Sequence, residues 1–252
     1  MTSFQRRAAV LAMLALALPA ATSADRLTVV TEEFYPLNYT ENGKLHGYAV
    51  DIAETLLART HIAYDMTAYP WARAYQMAQR QPNVLIFSIV RTPKREKQFH
   101  WIAAISKRQV YLFKLAQRHD IKLQSMNDLF RYTIASNRDD VAQEQLEALG
   151  LTTGKHIDLS NRDASSLQKL VLGRVDLMVG TEAAMQGLCR DNGVDYGALE
   201  RTLMLSDERG YYIAASIGTP AHTVDALRDE FGKLQKTNFL KKAADKYGVQ
   251  LP

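Results

Sequence analysis

One segment of the chain, residues 91 to 102 (RTPKREKQFHWI), has the residue types of an anion-binding site. A guanidinium group presents two parallel N–H donors that match a carboxylate, so an arginine in a basic cluster can bind an anionic solute. Exposed basic clusters are more often only solvated. Both interpretations stay open until the rest of the chain is considered. The segment begins with four basic side chains, which are Arg91, Lys94, Arg95 and Lys97.

Patterns typical of catalysis or metal binding do not accompany this segment. The sequence has no GxSxG motif, no glycine-rich phosphate loop and no HxxxH or CxxC pair. Its six histidines are scattered, so neither a metal nor a cofactor is expected. The single cysteine, Cys189, is interpreted as a small buried apolar residue, and it has no partner for an internal disulfide.

Residues 1–24 are predicted to be a secretory signal peptide. Arg6 and Arg7 precede an apolar run, and the small residues Thr22 and Ala24 close the segment, which is the pattern of a cleaved signal. The apolar run over residues 8–18 is shorter than the ~20 residues that a helix needs to cross a bilayer. We therefore expect cleavage after Ala24 and export of the remaining chain.

The exported chain is predicted to be nearly neutral. The signal segment takes two of the 31 Lys and Arg residues and none of the 27 Asp and Glu residues, which leaves a net charge of +2. Such a balance does not indicate nucleic-acid binding, so no nucleic-acid partner is expected. Removing 24 of the 252 residues leaves 228, enough for one large or two small domains with packed cores.

The first part of the chain predicts alternating strands and helices. β-branched or apolar runs indicate strands, and apolar residues three and four positions apart indicate helices. The run VLIFSI has the unbroken apolar character of a strand buried on both faces. This alternation predicts an α/β fold with a mostly parallel sheet. The predicted elements are strands at 27–31, 61–69 and 84–89, and helices at 48–60 and 71–80.

The same alternation starts again after residue 110, and a lone strand and two terminal helices follow. No flexible linker separates the two units, so we predict two α/β lobes joined by extended crossings near residues 108–114 and 204–212, with a cleft between the lobes. Lobe one is predicted to comprise residues 25–111 plus 207–252, and lobe two residues 112–206. The predicted elements are strands at 110–116, 131–136, 156–159, 175–180 and 210–216, and helices at 137–149, 163–173, 182–190, 223–236 and 238–247. Asp163 is predicted to cap the helix at 163–173.

Four motifs in order resemble one protein family. The chain is similar to the bacterial extracellular solute-binding proteins of the polar amino acid type, which are periplasmic and serve ABC importers. The resemblance covers the whole exported chain and implies the periplasmic-binding-protein fold, in which two α/β lobes close on a small ligand. The motifs are GYAVDIA at 47–53, Pro70-Trp71, TPKR at 92–95 and GRVD at 173–176.

The resemblance gives the basic segment a function. The arginine of the family's TPER motif binds the ligand's carboxylate, which implies that role for Arg95. Lys94 and Lys97 are expected to be solvated. Arg91 stands where the family has an apolar or small residue, and it is either a second anion contact or a salt-bridge partner.

Further ligand contacts are implied at other positions. Phe34, Tyr35 and Trp71 lie where the family places aromatic walls against the ligand, which can also stack on cations. Ser88 matches a position that offers hydroxyl or backbone contacts. The candidate ligand-binding residues are Glu33, Phe34, Tyr35, Trp71, Ser88, Arg91, Arg95, Arg138, Asp139, Thr181 and Glu182.

Two departures from the family pattern concern lobe two. The aspartate that takes the ligand's α-amino group is replaced by Thr181. Glu182 is the neighbouring acid that would substitute for it, from a different direction. The helix start that usually holds the carboxylate reads Asn137-Arg138-Asp139-Asp140, whose aspartates would cap the helix and repel a carboxylate unless Arg138 intervenes. We therefore expect a modified amino acid, an amine, an organic acid or a short peptide as ligand.

The leading functional interpretation is a monomeric periplasmic protein that captures a small polar solute and delivers it to an ABC permease. It is not expected to be an enzyme. An alternative is a periplasmic lyase of the cyclohexadienyl dehydratase type on the same fold, with Glu33 or Glu182 as acid and Arg91, Arg95 or Arg138 as substrate clamp. A ligand sensor for a membrane receptor is a third interpretation.

Overall fold

The computed structural model describes residues 26–207 and 210–252. The predicted signal peptide and its cleavage site lie outside the described residues. Within them, no helix is both long and apolar enough to cross a membrane.

The described elements alternate along most of the chain, as the periodicity predicts. The strands are β1 (Leu27–Thr31), β2 (Tyr39–Glu41), β3 (Lys44–His46), β4 (Tyr64–Ala68), β5 (Val84–Val90), β6 (Phe99–Ser106), β7 (Val110–Leu115), β8 (Ile134–Asn137), β9 (Ile157–Ser160), β10 (Leu177–Gly180), β11 (Leu199–Ser206) and β12 (Tyr211–Ser216). The α-helices are α1 (Tyr48–Thr60), α2 (Trp71–Arg80), α3 (Val141–Ala148), α4 (Asp163–Val171), α5 (Glu182–Asp191), α6 (Ala221–Gln235) and α7 (Phe239–Tyr247), and 3-10 turns cover Glu96–Gln98, Met126–Arg131 and Tyr196–Ala198.

Lobe one is built on a five-stranded sheet with the order β4-β1-β5-β12-β6. β1 pairs in parallel with β4 and β5, and β12 pairs antiparallel with β5 and β6. Every residue of β5 is buried, because helices cover both faces of the sheet and exclude water from this central strand. The apolar face of α1 packs with α6 and α7 against one side of the sheet, and α2 covers the other.

Lobe two is built on a second five-stranded sheet with the order β11-β7-β10-β8-β9. β8 pairs in parallel with β9 and β10, whereas β7 pairs antiparallel with β10 and β11. Its core divides over the two faces, with α4 and α5 on one side and α3 on the other. Cys189 of α5 is fully buried in the first of these clusters.

The chain passes between the sheets twice. The first crossing lies between Ser106, the last residue of β6, and Val110, the first of β7. The second lies between Ser206 of β11 and Tyr211 of β12. These segments connect two α/β lobes side by side, and the carboxyl ends of several parallel strands face the space between them.

Several predicted boundaries differ from the structure; for example, the helix predicted at 137–149 begins only at Val141, because β8 extends to Asn137. Two differences have clear local reasons. The second strand was expected to start at residue 61, but His61 takes a left-handed conformation with φ 55° that ends α1, and β4 begins at Tyr64. Asp163 was interpreted as the cap of its helix, but the N-cap position belongs to Arg162 and the Asp163 carboxylate is engaged elsewhere.

One buried hydrogen bond gives a stability test for lobe one. The Tyr48 hydroxyl donates to the carbonyl oxygen of Ile105 at 2.8 Å, and burial raises the pKa of Tyr48 to about 12. Tyr48→Phe removes this bond from a dry core and should lower the free energy of unfolding by about 1 kcal/mol. Tyr64→Phe, at a half-buried ring of β4, should change it by less than about 0.5 kcal/mol. Urea unfolding of both variants measures the difference, and equal effects would contradict this account.

Candidate functional site

A cavity lies between the two lobes and takes its walls from both. Its empty volume is ≈ 700 Å³, its opening to solvent included. Lobe one contributes the loop after β1, the start of α2 and the end of β5. Lobe two contributes the ends of β8 and β10 and the starts of α3, α4 and α5. Ligands of α/β proteins bind at such carboxyl ends of strands, which makes this cavity the candidate site.

Arg95 is the most deeply buried charged side chain of the cavity, with no exposed surface. The turn after β5 fixes its backbone, since the Arg95 N–H donates to the Thr92 carbonyl at 3.0 Å. Its guanidinium carbon lies 4.5 Å from the ring centre of Tyr75 and 5.6 Å from that of Trp71. Among the described residues, its Nε and Nη1 atoms have no hydrogen-bond partner. Two charged donors are therefore left for a group in the cavity.

Contacts across the cleft show that the lobes are closed in this structure. The main-chain oxygen of Asp139, in lobe two, accepts from Arg95 Nη2 at 2.8 Å and from Trp71 Nε1 at 2.9 Å. Glu144 Oε1 lies 3.4 Å from Arg95 Nη2 and 3.3 Å from Lys94 Nζ. Asp139 adopts a left-handed φ of 59°, at the turn that presents this oxygen. The arginine thus contacts both lobes.

A second arginine, Arg108, lies in the first crossing between the sheets and is 4 % exposed. It borders the cavity beside the phenol ring of Tyr211. Burial raises the pKa of Tyr211, and the nearby Arg108 partly offsets this. The Nη1 atom of Arg108 is buried without a hydrogen-bond partner in the part of the chain that the structure describes.

Three carboxylates also line the cavity. Glu32 follows β1, Asp140 precedes α3 and Asp163 begins α4. One Asp140 oxygen accepts from the Ala142 N–H at 2.6 Å and caps α3. One Asp163 oxygen accepts from Asn137 Nδ2 at 2.7 Å.

The pKa values of two of these acids are raised, and burial is the largest cause. Burial and the charge of Asp140 raise the pKa of Asp163 to about 7, and the Asn137 hydrogen bond partly counteracts them. Burial and the charges of Asp163 and Asp140 raise the pKa of Glu32 well above its usual range, although Arg95 lowers it. Both acids therefore hold their proton to a higher pH than a carboxyl group in water does.

Aromatic and small side chains complete the walls. The rings of Phe34, Trp71 and Tyr211 border the cavity, and Phe34 packs edge-on against Tyr211 at 5.3 Å between ring centres. Ser88 also lines it, in a left-handed conformation with φ 60°, and its hydroxyl donates to Asn38 Oδ1. Thr181 borders the cavity while its Oγ1 accepts from the Ala184 N–H at 3.2 Å and caps α5.

The predicted site residues fall into three groups. Five line the cavity, and two more form contacts between the lobes, where Tyr35 packs on Gly187 and Asp139 contributes its main-chain oxygen. The other four lie outside the cavity lining. The lining residues are Phe34, Trp71, Ser88, Arg95 and Thr181, and those outside are Glu33, Arg91, Arg138 and Glu182.

The residues outside have surface partners or surface positions. Arg91 Nε donates to Glu96 Oε2 at 2.8 Å. Arg91 is therefore placed as a salt-bridge partner and not as an anion contact in the cavity. Glu33 accepts from the Thr40 N–H at 2.8 Å, and Glu182 pairs with Arg201. Arg138 is exposed and borders a separate depression of lobe two.

Sequence reasoning missed several cavity residues. Glu32 immediately follows a buried strand, and Asp140 and Asp163 follow the strands β8 and β9, so the carboxyl-end rule for parallel sheets was the available signal. Asp140 and Asp163 were interpreted only as helix caps. No sequence signal marked Arg108 or Tyr211. The missed lining residues that carry polar groups are Glu32, Arg108, Ser136, Asn137, Asp140, Asp163 and Tyr211.

No cluster of three or more His, Cys, Asp or Glu side chains suited to a metal ion occurs within residues 26–207 and 210–252. The three cavity carboxylates are thus not grouped as metal ligands. The cavity offers charged groups of both signs on an aromatic wall, which suits a small organic solute.

The comparisons with known proteins agree with this architecture. The sequence model of one family, bacterial extracellular solute-binding proteins, family 3, matches residues 27–250. No curated protein matches the chain.

Solved structures match over most of the chain at low identity. A histidine kinase sensor domain with similarity to periplasmic binding proteins is 20 % identical, with a TM-score of 0.80, covering 90 % of this chain and 98 % of that one. An ancestral arginine-binding protein bound to arginine is 18 % identical, with a TM-score of 0.77, and the match covers 88 % of this chain and 98 % of that one. The arginine-, lysine-, histidine-binding protein ArtJ from Geobacillus stearothermophilus is 16 % identical, with a TM-score of 0.75, and the match covers 90 % of this chain and 96 % of that one. These likenesses establish the two-lobe periplasmic-binding-protein fold, as the motifs predicted.

Proposed function

The chain belongs to the bacterial extracellular solute-binding proteins of family 3, and we propose that it captures a small polar solute between its lobes and delivers it to an ABC importer. The family match and the fold support capture of a solute. Structural neighbours that bind arginine, lysine or histidine support a compound related to amino acids. Delivery in the periplasm, by a monomer that an inner-membrane permease recognises, follows from the predicted signal peptide and the family's usual role.

The observation that carries the proposal is the buried Arg95 guanidinium, which lines the cavity and has two nitrogens without partners among the described residues. A guanidinium stays charged when it is buried, so it needs an anionic or strongly polar partner. The Nη2 atom already contacts Glu144 and the Asp139 oxygen, and a solute carboxylate opposite Nε and Nη1 would provide a partner for the other two nitrogens. In a closed, dry cavity this pairing is stronger than in water.

Capture is proposed to follow from bending at the two crossings. With the lobes apart, Arg95 and Trp71 of lobe one are separated from the Asp139 oxygen of lobe two, and a solute can enter. Closure forms these contacts again and brings the lobe-two carboxylates to the solute. A solute that touches both lobes therefore favours the closed form, because only that form supplies all its contacts.

A ligand screen tests this function. We expect the protein to be stabilised by some members of a panel of amino acids, amines, organic acids and short peptides, by about 2.7 kcal/mol at a hundredfold excess over Kd. Thermal shift detects the binding, and X-ray scattering should show compaction with the best compound. Glycine-sized α-amino acids should give little shift, since Thr181 carries no charge for their ammonium group. Stabilisation without compaction would contradict capture by closure, and no stabilisation by any compound would contradict capture itself.

The lyase alternative can be distinguished from simple binding by whether the protein converts the bound compound. Its expected acids, Glu33 and Glu182, lie outside the cavity lining, but Asp163 lies in it with a pKa of about 7 and could protonate a leaving group. Incubation with prephenate or arogenate, followed by chromatography, should return each compound unchanged. Conversion that is lost in Asp163→Asn would establish catalysis and overturn the proposal that the protein only binds.

A further inference from the structure

A second cavity lies beside the solute cavity, at the first crossing between the sheets, and we call it the hinge cavity. Its empty volume is ≈ 770 Å³, its opening to solvent included. Residues 106–109 of the crossing form one wall, and the loop after β1 and residues 248–250 add walls from lobe one. The Lys107 N–H donates to the Gln250 carbonyl oxygen at 3.0 Å, which ties this last segment to the crossing. Lobe two contributes Tyr111 of β7 and the start of α5.

The hinge cavity and the solute cavity share part of a wall but are otherwise lined by different groups. Phe34, Arg108, Thr181 and Tyr211 border both of them. Arg95 and the three acids of the solute cavity are not among the residues that line the hinge cavity. A compound in the hinge cavity would therefore meet a different set of polar groups from the captured solute.

Two buried polar side chains near the first crossing lack partners and border the hinge cavity. Ser106 is 1 % exposed and Arg108 is 4 % exposed. Within the described part of the chain, neither Ser106 Oγ nor Arg108 Nη1 has a hydrogen-bond partner. Ser106 lines the hinge cavity and does not line the solute cavity. A buried donor without a partner is unfavourable, so a ligand that accepts hydrogen bonds from these two groups would be favoured.

The charges around the hinge cavity favour an anion. Arg108 lines it together with Lys107, which is exposed. Glu182 is the one acid among its described lining residues, and this carboxylate already pairs with Arg201. Positive charge is therefore in excess in the described lining, and a guanidinium keeps its charge when it is buried.

Apolar side chains form the remaining walls of the hinge cavity. The rings of Phe34, Tyr35, Tyr111 and Tyr211 border it, and Val249 adds an aliphatic side chain. Sites for small organic molecules combine such walls with a few polar groups that fix the orientation of the ligand. An inorganic anion would contact the donors and leave the rings unused, so the lining suits an organic anion with an aromatic body.

We propose that the hinge cavity is a second binding site, which takes a small aromatic carboxylate and favours the closed form. The carboxylate accepts hydrogen bonds from Arg108 and Ser106, and the aromatic body packs against the rings. Since the walls come from both lobes, the complete site exists only when the lobes are closed. The effect on solute affinity rests on the proposed function, whereas binding at the hinge cavity does not.

Occupancy of the hinge cavity should be coupled to occupancy of the solute cavity. Two ligands that favour the same form of a protein strengthen each other's binding by the same factor. An aromatic carboxylate in the hinge cavity should therefore raise the affinity for the solute by about tenfold, and the solute should raise the affinity for the carboxylate equally.

The test uses aromatic carboxylates and their neutral amides as probes. Benzoate, phenylacetate and 4-hydroxyphenylacetate are titrated calorimetrically, each beside its amide, which keeps the ring and removes the charge. Acetate and inorganic phosphate show whether an anion without a ring is sufficient. Each titration is carried out on the protein alone and on the protein saturated with the best compound of the solute screen.

We expect the best aromatic carboxylate to bind at least about tenfold more tightly than its amide, acetate or phosphate, at one site beside the solute. Ser106→Ala and Arg108→Gln should each weaken this probe by about tenfold or more. Ser106→Ala should leave solute affinity unchanged when no probe is present, because Ser106 does not line the solute cavity. Ser166→Ala should alter neither affinity, and it is the matched control, a buried serine of α4 whose Oγ also lacks a partner among the described residues.

The opposite results overturn the inference. Competition between probe and solute would mean one continuous site in place of two. Equal binding of carboxylate and amide, or unchanged probe affinity in both variants, would mean that these donors do not form an anion site. A bound probe that leaves solute affinity unchanged would refute the coupling to closure. Failure of every probe, while the solute screen succeeds, would refute the hinge site and leave solute capture intact.

Discussion

Arg95→Ala is expected to weaken binding of the captured solute by about a hundredfold or more. Each hydrogen bond between charged groups contributes about 1.5–3 kcal/mol, and two donors of Arg95 are free to form such bonds. Losing both corresponds to at least two powers of ten in Kd. The substitution also removes the hydrogen bond to the Asp139 oxygen, which links the lobes in the closed form. Calorimetric titration with the best compound of the screen measures the loss.

The neighbouring lysines supply matched controls. Lys94 is 68 % exposed and only 3.3 Å from Glu144, and Lys97 is exposed in the same turn. Lys94→Ala and Lys97→Ala should change affinity less than about threefold at moderate salt, because exposed charges are screened. Arg95→Lys should restore only part of the affinity, since an ammonium lacks the two-pronged geometry.

Folding stability separates a binding role from a structural one. In the open, ligand-free protein the Arg95 guanidinium is expected to be hydrated, so Arg95→Ala should leave the urea midpoint almost unchanged. Equal and small effects on binding at all three positions would mean that the segment is a solvated turn. If Arg95→Ala instead unfolds the protein, the arginine belongs to an ion pair that lobe one needs in order to fold.

The contrast between Arg95 and Arg91 shows what could be predicted from the sequence. Composition and spacing marked both as anion candidates, and the TPKR motif favoured Arg95. The turn after β5 directs Arg95 into the cavity, whereas Arg91 meets Glu96 at the surface. Sequence-local patterns find such a segment, but the direction of each side chain depends on the turn and on the opposite lobe.

The same limit explains why the sequence indicated Glu33 as a site residue, whereas its neighbour Glu32 lines the cavity. The two acids are neighbours after β1, and consecutive residues of an extended chain point in opposite directions. Glu32 lines the cavity, and Glu33 bonds to Thr40 on the outside. Most of the elements were predictable because apolar periodicity fixes them locally, but the strands β6 and β11 were not predicted. The carboxylate group of the cavity was not, since Glu32, Asp140 and Asp163 come together only through the packing of two lobes.

Closure can be blocked at one glycine without touching the cavity lining. Gly187, in α5 of lobe two, packs against Tyr35 of lobe one, and a Cβ atom at this position would lie 2.6 Å from Tyr35 Cγ and 2.7 Å from its Cβ. The Tyr35 ring is also held under the Arg190 guanidinium, 4.6 Å from the ring centre, which limits its escape. Gly187→Ala should therefore hold the lobes apart.

We expect Gly187→Ala to weaken solute binding by about a hundredfold, because the contacts of one lobe are lost when closure fails. The variant should fold normally, since alanine is favoured over glycine in a helix by about 1 kcal/mol. Gly232→Ala is the matched control, as Gly232 is a glycine of α6 with open space where its Cβ would be, and its affinity should be unchanged. Titration and X-ray scattering with saturating ligand check both variants.

The clash itself can be tested by removing the Tyr35 side chain. In a Tyr35→Gly background the alanine at position 187 meets neither the ring nor the Cβ atom of residue 35, so the second substitution should cost less than about tenfold in affinity. Non-additivity of this kind assigns the effect to the contact between the lobes and not to α5 alone. If Gly187→Ala binds as tightly as the unmodified protein and still compacts with ligand, the closed packing of Tyr35 on α5 does not accompany capture. The cavity would then have to form by a different approach of the two lobes.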